Sequence, residues 1–515
     1  MFSIKHIFIN ALGTFLSRFL GLFKNIIVNF YFGLADTFWG AFQIVNTFRV
    51  FVGEGTINNS FIPIYKKVNE ENKSELKYFS LKAFLVVFII STILVALLNI
   101  FSYEITKIVL PGFSKEKLIE ASNSLNIMSF AVILISLQSF LAALQISKYD
   151  SFISFAFAPV VYNVITILTI ALLNKLGYYI LSWSVITGSI GMLLFQLIFL
   201  LREIKGLTKI EIKKVFKFDT HTKSFIVSFI SIIGISLIVQ LNSIVSRFFG
   251  SFFEGVVAAL TNAYILIQTP LGIFSVAISV VGLNTFSEHF SQNNIEKAKE
   301  ASNQSIKLLN LLVIPVAVTM IVLSEELTKI IYRDISGIFL GSEGKYSKEA
   351  LKLTTELFFI YSISTYFLGI TSLITRISYA RGDVKTPVIN SLLNLLTNVI
   401  ANTVIFFTLK NYLGIPISFL IANLVSTVHI LMSEIKYIGN KKEIIEEFFK
   451  IISTSLISAS IIKLLGKAVK LPDTYIISFI WNSTLISLSI LTPLFLSSLL
   501  NIKTIQLFKK AIKKT

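Results

Sequence analysis

Arg18, Lys24 and Arg49 are ionisable residues set inside long apolar stretches, where charge is costly and therefore informative. Around them run two polar stripes at helical spacing. Thr14, Arg18, Gly21, Asn25 and Asn29 follow at steps of 4, 3, 4 and 4, with Ser17 and Lys24 flanking the same face. Gln43, Asn46, Arg49 and Gly53 repeat at 3, 3 and 4, with Glu54 adjacent. Two such stripes on neighbouring spans predict a shared water-filled cavity, and an excess of cations there favours an anionic solute. Arginine forks grip two oxygens at once, which suits phosphate or carboxylate and disfavours drug-like cations and metal ions. The predicted binding residues are Arg18, Lys24, Asn25, Arg49, Ser17 and Asn46, with Glu54, Gly21 and Gly53 as gating or charge-balancing positions. A buried Arg–Glu structural pair is the competing reading, but Glu54 would neutralise one cation and leave the others.

Depth supports the cavity. Arg18 lies about 11 residues into the first span, roughly 16 Å from its inner end, and Arg49 about 11 residues into the second, counted from its outer end. Each such cation costs about 2.5–3.5 kcal/mol to insert. Some fifteen strongly apolar residues, at roughly −0.3 to −0.6 kcal/mol each, do little more than offset Arg18 and Lys24 together. A span so close to break-even serves more than anchoring.

The elements that must hold these residues are membrane helices. Hydrophobic residues make up 54% of the 515-residue chain and charged ones 14%, with mean hydropathy +0.78, against roughly 25% charged in a soluble domain. One globular core could not bury that much apolar surface. At about 20 residues per span, candidate helices fall near 7–32, 38–64, 79–101, 121–147, 151–173, 178–201, 224–249, 255–287, 305–330, 351–379, 386–409, 415–435, 449–466 and 474–500. The first reads as a retained helix without a small-residue cleavage site. The chain has no cysteine, which excludes disulfides and thiolate chemistry, and His6, His221, His289 and His429 lack metal-ligand spacing. No cofactor and no metal site are expected.

Of the 46 basic residues, 28 fall in one set of alternating loops and 12 in the other, which puts both termini on the cytoplasmic side. Most of the formal net charge of +18 is thereby an orientation signal. Six cations remain within spans: Arg18, Lys24, Arg49, Arg247, Arg376 and Lys463. The last three lie near span ends or can snorkel.

The chain also repeats. Ser114-Lys-Glu precedes one span and Ser347-Lys-Glu another, Ala158-Pro159 with Asn163 is echoed by Thr386-Pro387 with Asn390, and Tyr-Phe-Gly33 by Phe-Phe-Gly250. Halves of six helices each have parallel topology, with the substrate expected at their interface near the midplane. Residues 255–287 would supply the opposing face through a small, bendable stripe of Asn262, Pro270, Gly272, Ser275, Ser279 and Gly282. The predicted fold is an all-α polytopic membrane protein of about fourteen helices. Its bundles are 1–220 and 221–440, followed by two extra helices within 441–515 and a basic amphipathic tail from Ile502 to Thr515.

At this point the sequence resembles the MurJ (MviN) lipid II flippases of the multidrug/oligosaccharidyl-lipid/polysaccharide exporter superfamily. The resemblance is carried by Ser17-Arg18-Phe-Leu-Gly21, Gly53-Glu54-Gly55 with Phe61-Ile-Pro63, Leu110-Pro-Gly-Phe113, Phe157-Ala-Pro159 with Asn163, and above all Tyr379-Ala-Arg-Gly-Asp-Val-Lys-Thr-Pro387. It implies export of undecaprenyl-pyrophosphate-linked muropeptide (lipid II) across the bacterial inner membrane by alternating access. The sugar-pyrophosphate head would use the cationic cavity and the prenyl tail a groove by the last two helices. Arg18 and Arg49 match family cavity arginines, and Asp36 and Glu54 match acidic positions, which makes Asp36 a gating or charge-balancing candidate beside Glu54. Lys24 stands where the family commonly has arginine, and Asn25 where it has aspartate. The arginine expected in 255–287 is absent from Ala263-Tyr-Ile-Leu266, leaving Arg247 as the candidate compensating cation.

The expected partners are lipid II and membrane lipids, with no nucleic acid. Coupling to membrane potential or a monovalent cation is open, and no acid in 224–249 marks a sodium site. Flipping of another polyprenyl-pyrophosphate glycan is the alternative. An integral-membrane glycosyltransferase would need placed carboxylates and a sizeable aqueous loop, and a multidrug antiporter would need buried acids facing cations.

Overall fold

The computed structural model describes residues 4–53, 55–149, 152–204, 219–469, 471–499 and 504–505, and among these every regular element is helical. Twelve helices among the described residues are long and apolar enough to cross a membrane, so the chain is a multi-pass membrane protein. The two polar-striped segments are not among the twelve. The first is α1 (Ile4–Phe32), and the second is divided into α2 (Asp36–Val52) and α3 (Thr56–Glu71).

That division corrects the single span expected over 38–64, and glycine causes it. Gly55 takes φ +79°, and a Cβ on Gly53 would stand 2.5 Å from the Arg49 carbonyl oxygen. The Thr56 hydroxyl donates to the Val50 carbonyl at 3.0 Å, satisfying one of the acceptors freed at the end of α2. Glu54 lies outside the described residues.

The remaining elements are α4 (Leu76–Ile100), α5 (Ser102–Val109), α6 (Lys115–Tyr149), α7 (Ile153–Leu173), α8 (Ile180–Ile204), α9 (Thr220–Gly250), α10 (Val256–Pro270), α11 (Val276–Ser291), α12 (Ile295–Val322), α13 (Ser324–Lys329), α14 (Ile335–Leu340), α15 (Lys348–Ala380), α16 (Lys385–Leu409), α17 (Gly414–Glu434), α18 (Lys441–Ala468) and α19 (Tyr475–Leu499). Packing divides them into two compact units. One holds Met1–Val28 and Ala35–Val257, and the other Asn29–Leu34 and Ala258–Thr515. The described part of the basic tail is Thr504 and Ile505; the rest of that predicted amphipathic segment lies outside the described residues.

In the first unit, Phe61, Phe79, Phe140 and Phe225 join α3, α4, α6 and α9 in one buried cluster, with the Phe61 ring 5.0 Å from Phe140 and 5.5 Å from Phe79. Beside it Lys82, only 6% exposed, meets Asp219, which also caps α9 by accepting from the Thr222 N–H at 2.7 Å. Lys82 is thus a packed helix residue and no loop cation.

In the second unit Pro270 ends α10, and residues Leu271–Ser275 form a π-helical turn before α11. The bend expected in 255–287 is real, and a neighbour is shaped to it: a Cβ on Gly369 would come within 2.7 Å of the Ser275 hydroxyl. The most specific family stretch, Tyr379–Pro387, is the corner between α15 and α16. Gly382 takes φ +75°, and Asp383 accepts from the Thr386 N–H at 3.1 Å and hydroxyl at 2.7 Å. Arg381 and the Ser378 hydroxyl both reach Glu434 at 2.6 Å, bolting the corner to α17. Helix α18 begins eight residues before the predicted 449–466, capped by Asn440. Its early charges had hidden it: Glu443 and Glu447 lie 2.8 and 3.7 Å from Lys307 of α12, and Lys307 and Glu447 are buried together.

Candidate substrate-binding site

Helix α1 is oriented against α7 by one side chain. Asn163 Nδ2 donates to the Ser17 carbonyl at 3.0 Å and lies 3.4 Å from the Ser17 hydroxyl. Gly21 passes the same amide, which lies 3.9 Å from where its Cβ would stand. With α1 fixed there, Lys24 projects between Phe42 of α2 and Tyr162 of α7, its Nζ 5.5 and 5.2 Å from the two ring centroids. Each ring face offers an ammonium about 0.5–2 kcal/mol, depending on how dry the position is.

Arg49 lies seven residues after Phe42 on α2, two turns further along the same helix face. Arg18, Lys24, Arg49 and Asn46 are all half-buried, reachable without being solvated freely. The structure thus sets Lys24 of α1 against the helix that carries Arg49, in an aromatic frame that sequence reading missed. The available signal was Tyr162, the immediate neighbour of Asn163 and a helical turn beyond Pro159.

Other predicted positions lie elsewhere. Asn25 is fully buried, on the packed side of α1. Asn29, the last residue of the first stripe, belongs to the second unit, where its Oδ1 accepts from Asn262 Nδ2 at 3.2 Å; Asn262 also reaches the Tyr346 hydroxyl at 3.4 Å. Ser275, Ser279 and Gly282 are buried inside the second unit, with the Ser279 hydroxyl 3.4 Å from that of Ser372 on α15, so they pack helices where an open face was expected. Arg247 is 6% exposed within the first unit.

Asp36 starts α2, about 20 Å from Arg49 at 1.5 Å per residue. It accepts from the Gly255 N–H at 2.7 Å and stands 3.9 Å from Lys117, which is paired with Glu254 at 2.6 Å. Thr37 beside it donates toward Glu120 and Tyr178. The charge Asp36 balances is that of Lys117. Among the described residues no group of three or more His, Cys, Asp or Glu side chains could hold a metal ion.

Comparison with known proteins agrees with this architecture. Residues 29–485 match the family described as "Lipid II flippase MurJ". The probable lipid II flippase MurJ of Rickettsia prowazekii is 28% identical over 417 residues, 79% of each chain. That of Aquifex aeolicus is 28% identical over 433 residues, 82% of this chain and 81% of its own. A solved structure described as lipid II flippase MurJ in an inward closed conformation superposes with a TM-score of 0.77 and 25% identity, covering 95% of this chain and 98% of that one. An inward-facing multidrug resistance transporter described as of the MATE family and MOP superfamily shares the fold, with a TM-score of 0.64 and 15% identity over 82% of this chain and 94% of that one.

Proposed function

The chain belongs to the lipid II flippase MurJ family, a family of transporters and not enzymes, and we propose that it carries lipid II from the inner to the outer leaflet of the bacterial inner membrane by alternating access. Both termini are cytoplasmic in this reading, as the charge bias supports. The observation that supports it is Lys24 of α1 standing between Phe42 of α2 and Tyr162 of α7, on helices whose polar stripes also bear Arg18 and Arg49.

A pyrophosphate brings at least two negative charges and several oxygens. Arg18 and Arg49 supply planar forks for those oxygens, and Lys24 supplies a point charge whose direction the rings set. Ser17 and Asn46 line the same helices as neutral partners. Once the lipid leaves, the emptied site keeps these cationic side chains. Each unit of charge moved across the membrane is worth about 2.3 kcal/mol per 100 mV, so the membrane potential can drive the return. The repeated halves, 1–220 and 221–440, are the bodies that rock.

The test is lipid II accessibility at the outer face of cells that depend on this chain alone. Wild type should expose lipid II, and Arg18→Ala or Arg49→Ala should abolish exposure and growth with the protein still in the membrane. Continued exposure in both variants would overturn the assignment.

A further inference from the structure

In the second unit a cleft of about 670 Å³ opens where the first turns of α12 and α18 meet the α17–α18 loop. We propose that this cleft binds the phosphate headgroup of an anionic phospholipid. It is lined by Lys297, Lys299, Asn303, Lys436, Gly439 and Lys441. Glu296 and Glu300 also line it, but Glu296 is engaged by Lys299 at 2.8 Å and Glu300 accepts from Gln304 at 3.3 Å, so the lysines outnumber and partly neutralise the acids.

Two 28-residue helices begin at this cleft. Asn294 caps α12 through the Lys297 N–H at 3.1 Å, and Asn440 caps α18 through the Glu443 N–H at 3.3 Å. Both amino ends present partial positive charge, which adds to the lysines.

The cleft is a built feature. The Ser302 hydroxyl donates to the Tyr437 carbonyl at 2.6 Å, and Lys307 joins α12 to Glu443 of α18 at 2.8 Å one turn below. Gly439 makes the floor possible, because a Cβ there would stand 2.8 Å from the Lys299 carbonyl oxygen.

The choice of a lipid over a soluble anion rests on what surrounds the cleft. It lies at the amino ends of two helices long and apolar enough to cross a membrane. Ile435 lies in the turn after α17 beside Lys436, and Ile445 and Phe449 follow Lys441 at one and two turns along α18; they are 47%, 54% and 60% exposed. A ligand with phosphate at one end and hydrocarbon at the other fits that sequence of surfaces, and basic recesses between membrane helices bind such headgroups.

The full-length protein, purified in detergent, would be titrated with phosphatidylglycerol and read by native mass spectrometry. Phosphatidylcholine and inorganic phosphate serve as the comparison ligands. Wild type should retain phosphatidylglycerol over phosphatidylcholine, and Lys297→Gln with Lys441→Gln should weaken the tightest binding event about thirtyfold. Lys107→Gln with Lys175→Gln, which removes equal charge from other exposed sites, should not. Equal binding by both double variants would overturn the proposal. So would inorganic phosphate displacing the lipid at comparable concentration, which would make the cleft a soluble-anion site. The melting temperature of each variant separates lost binding from lost folding. Failure here leaves the flippase reading intact, since that reading is judged on Arg18 and Arg49.

Discussion

Lys24 of α1 stands over the ring of Tyr162 on α7, with its Nζ 5.2 Å from the centroid. The charge expected to meet substrate is therefore aimed by a residue of another helix, and that helix is itself set by Asn163 holding Ser17. Tyr162→Phe should keep near-normal transport. Tyr162→Leu should weaken lipid II binding several-fold, in line with a cation–π contribution of about 0.5–2 kcal/mol. Binding of purified variants to lipid II checks this, and the loss should disappear when Lys24 is already methionine.

Arg49→Ala removes a fork for which lysine is a poor substitute. Charge-assisted hydrogen bonds contribute about 1.5–3 kcal/mol, so affinity for lipid II should fall roughly 10- to 100-fold. Arg49→Lys should recover only part of that, and Lys24→Arg should be tolerated. Complementation of a flippase-depleted strain, with membrane levels measured alongside, gives the order.

Gly53→Ala should be worse than Gly55→Ala. Alanine at 55 bears a left-handed backbone penalty of about 1–2 kcal/mol, whereas at 53 its Cβ collides with the carbonyl of Arg49 itself. The expected signature is a modest fall in melting temperature for the second, and loss of transport at near-normal protein levels for the first.

Lys307→Met leaves Glu447 buried without its cation, and breaking such a pair costs about 3–5 kcal/mol. Adding Glu443→Gln and Glu447→Gln should restore much of the stability. Thermal unfolding in detergent distinguishes the single variant from the triple.

Burial opposes charge on Asp219, but hydrogen bonds from Lys82 and Thr222 outweigh it and hold the carboxyl below the usual carboxylate range. A depressed pKa contributes stability above the unfolded value of 3.8, and that contribution is lost as pH falls through the folded value. Asp219→Asn should therefore destabilise at pH 7, by an amount that shrinks progressively as pH falls below 3.8, as paired melting curves would read.

Much of the fold was legible because membrane helices declare themselves by length and apolarity. The failures share a cause. The span 38–64 hid a break, since two glycines within an apolar run look harmless until a specific carbonyl occupies the space a Cβ needs. The start of α18 was missed because Glu443 and Glu447 look like loop residues until Lys307, far away in sequence, neutralises them. At the site, the stripes placed Arg18 and Lys24 on one helix and Arg49 on another, and Lys24 against Phe42 shows that the two helices meet. They could not supply Tyr162, because an aromatic in an apolar helix is indistinguishable from packing without its neighbour. Asp36 shows the opposite limit: its type suggested charge balance, and only the Gly255 N–H and Lys117 reveal whose charge it balances.

The corner at Tyr379–Pro387 bears on how such proteins are sorted. Its glycine, its capping aspartate and its arginine bolted to Glu434 all serve joinery between three helices. The stretch by which kinship is most easily recognised is silent about cargo. On the proposed function, two transporters sharing all nine residues can carry different glycans, and substrate is to be sought in the positions around Lys24.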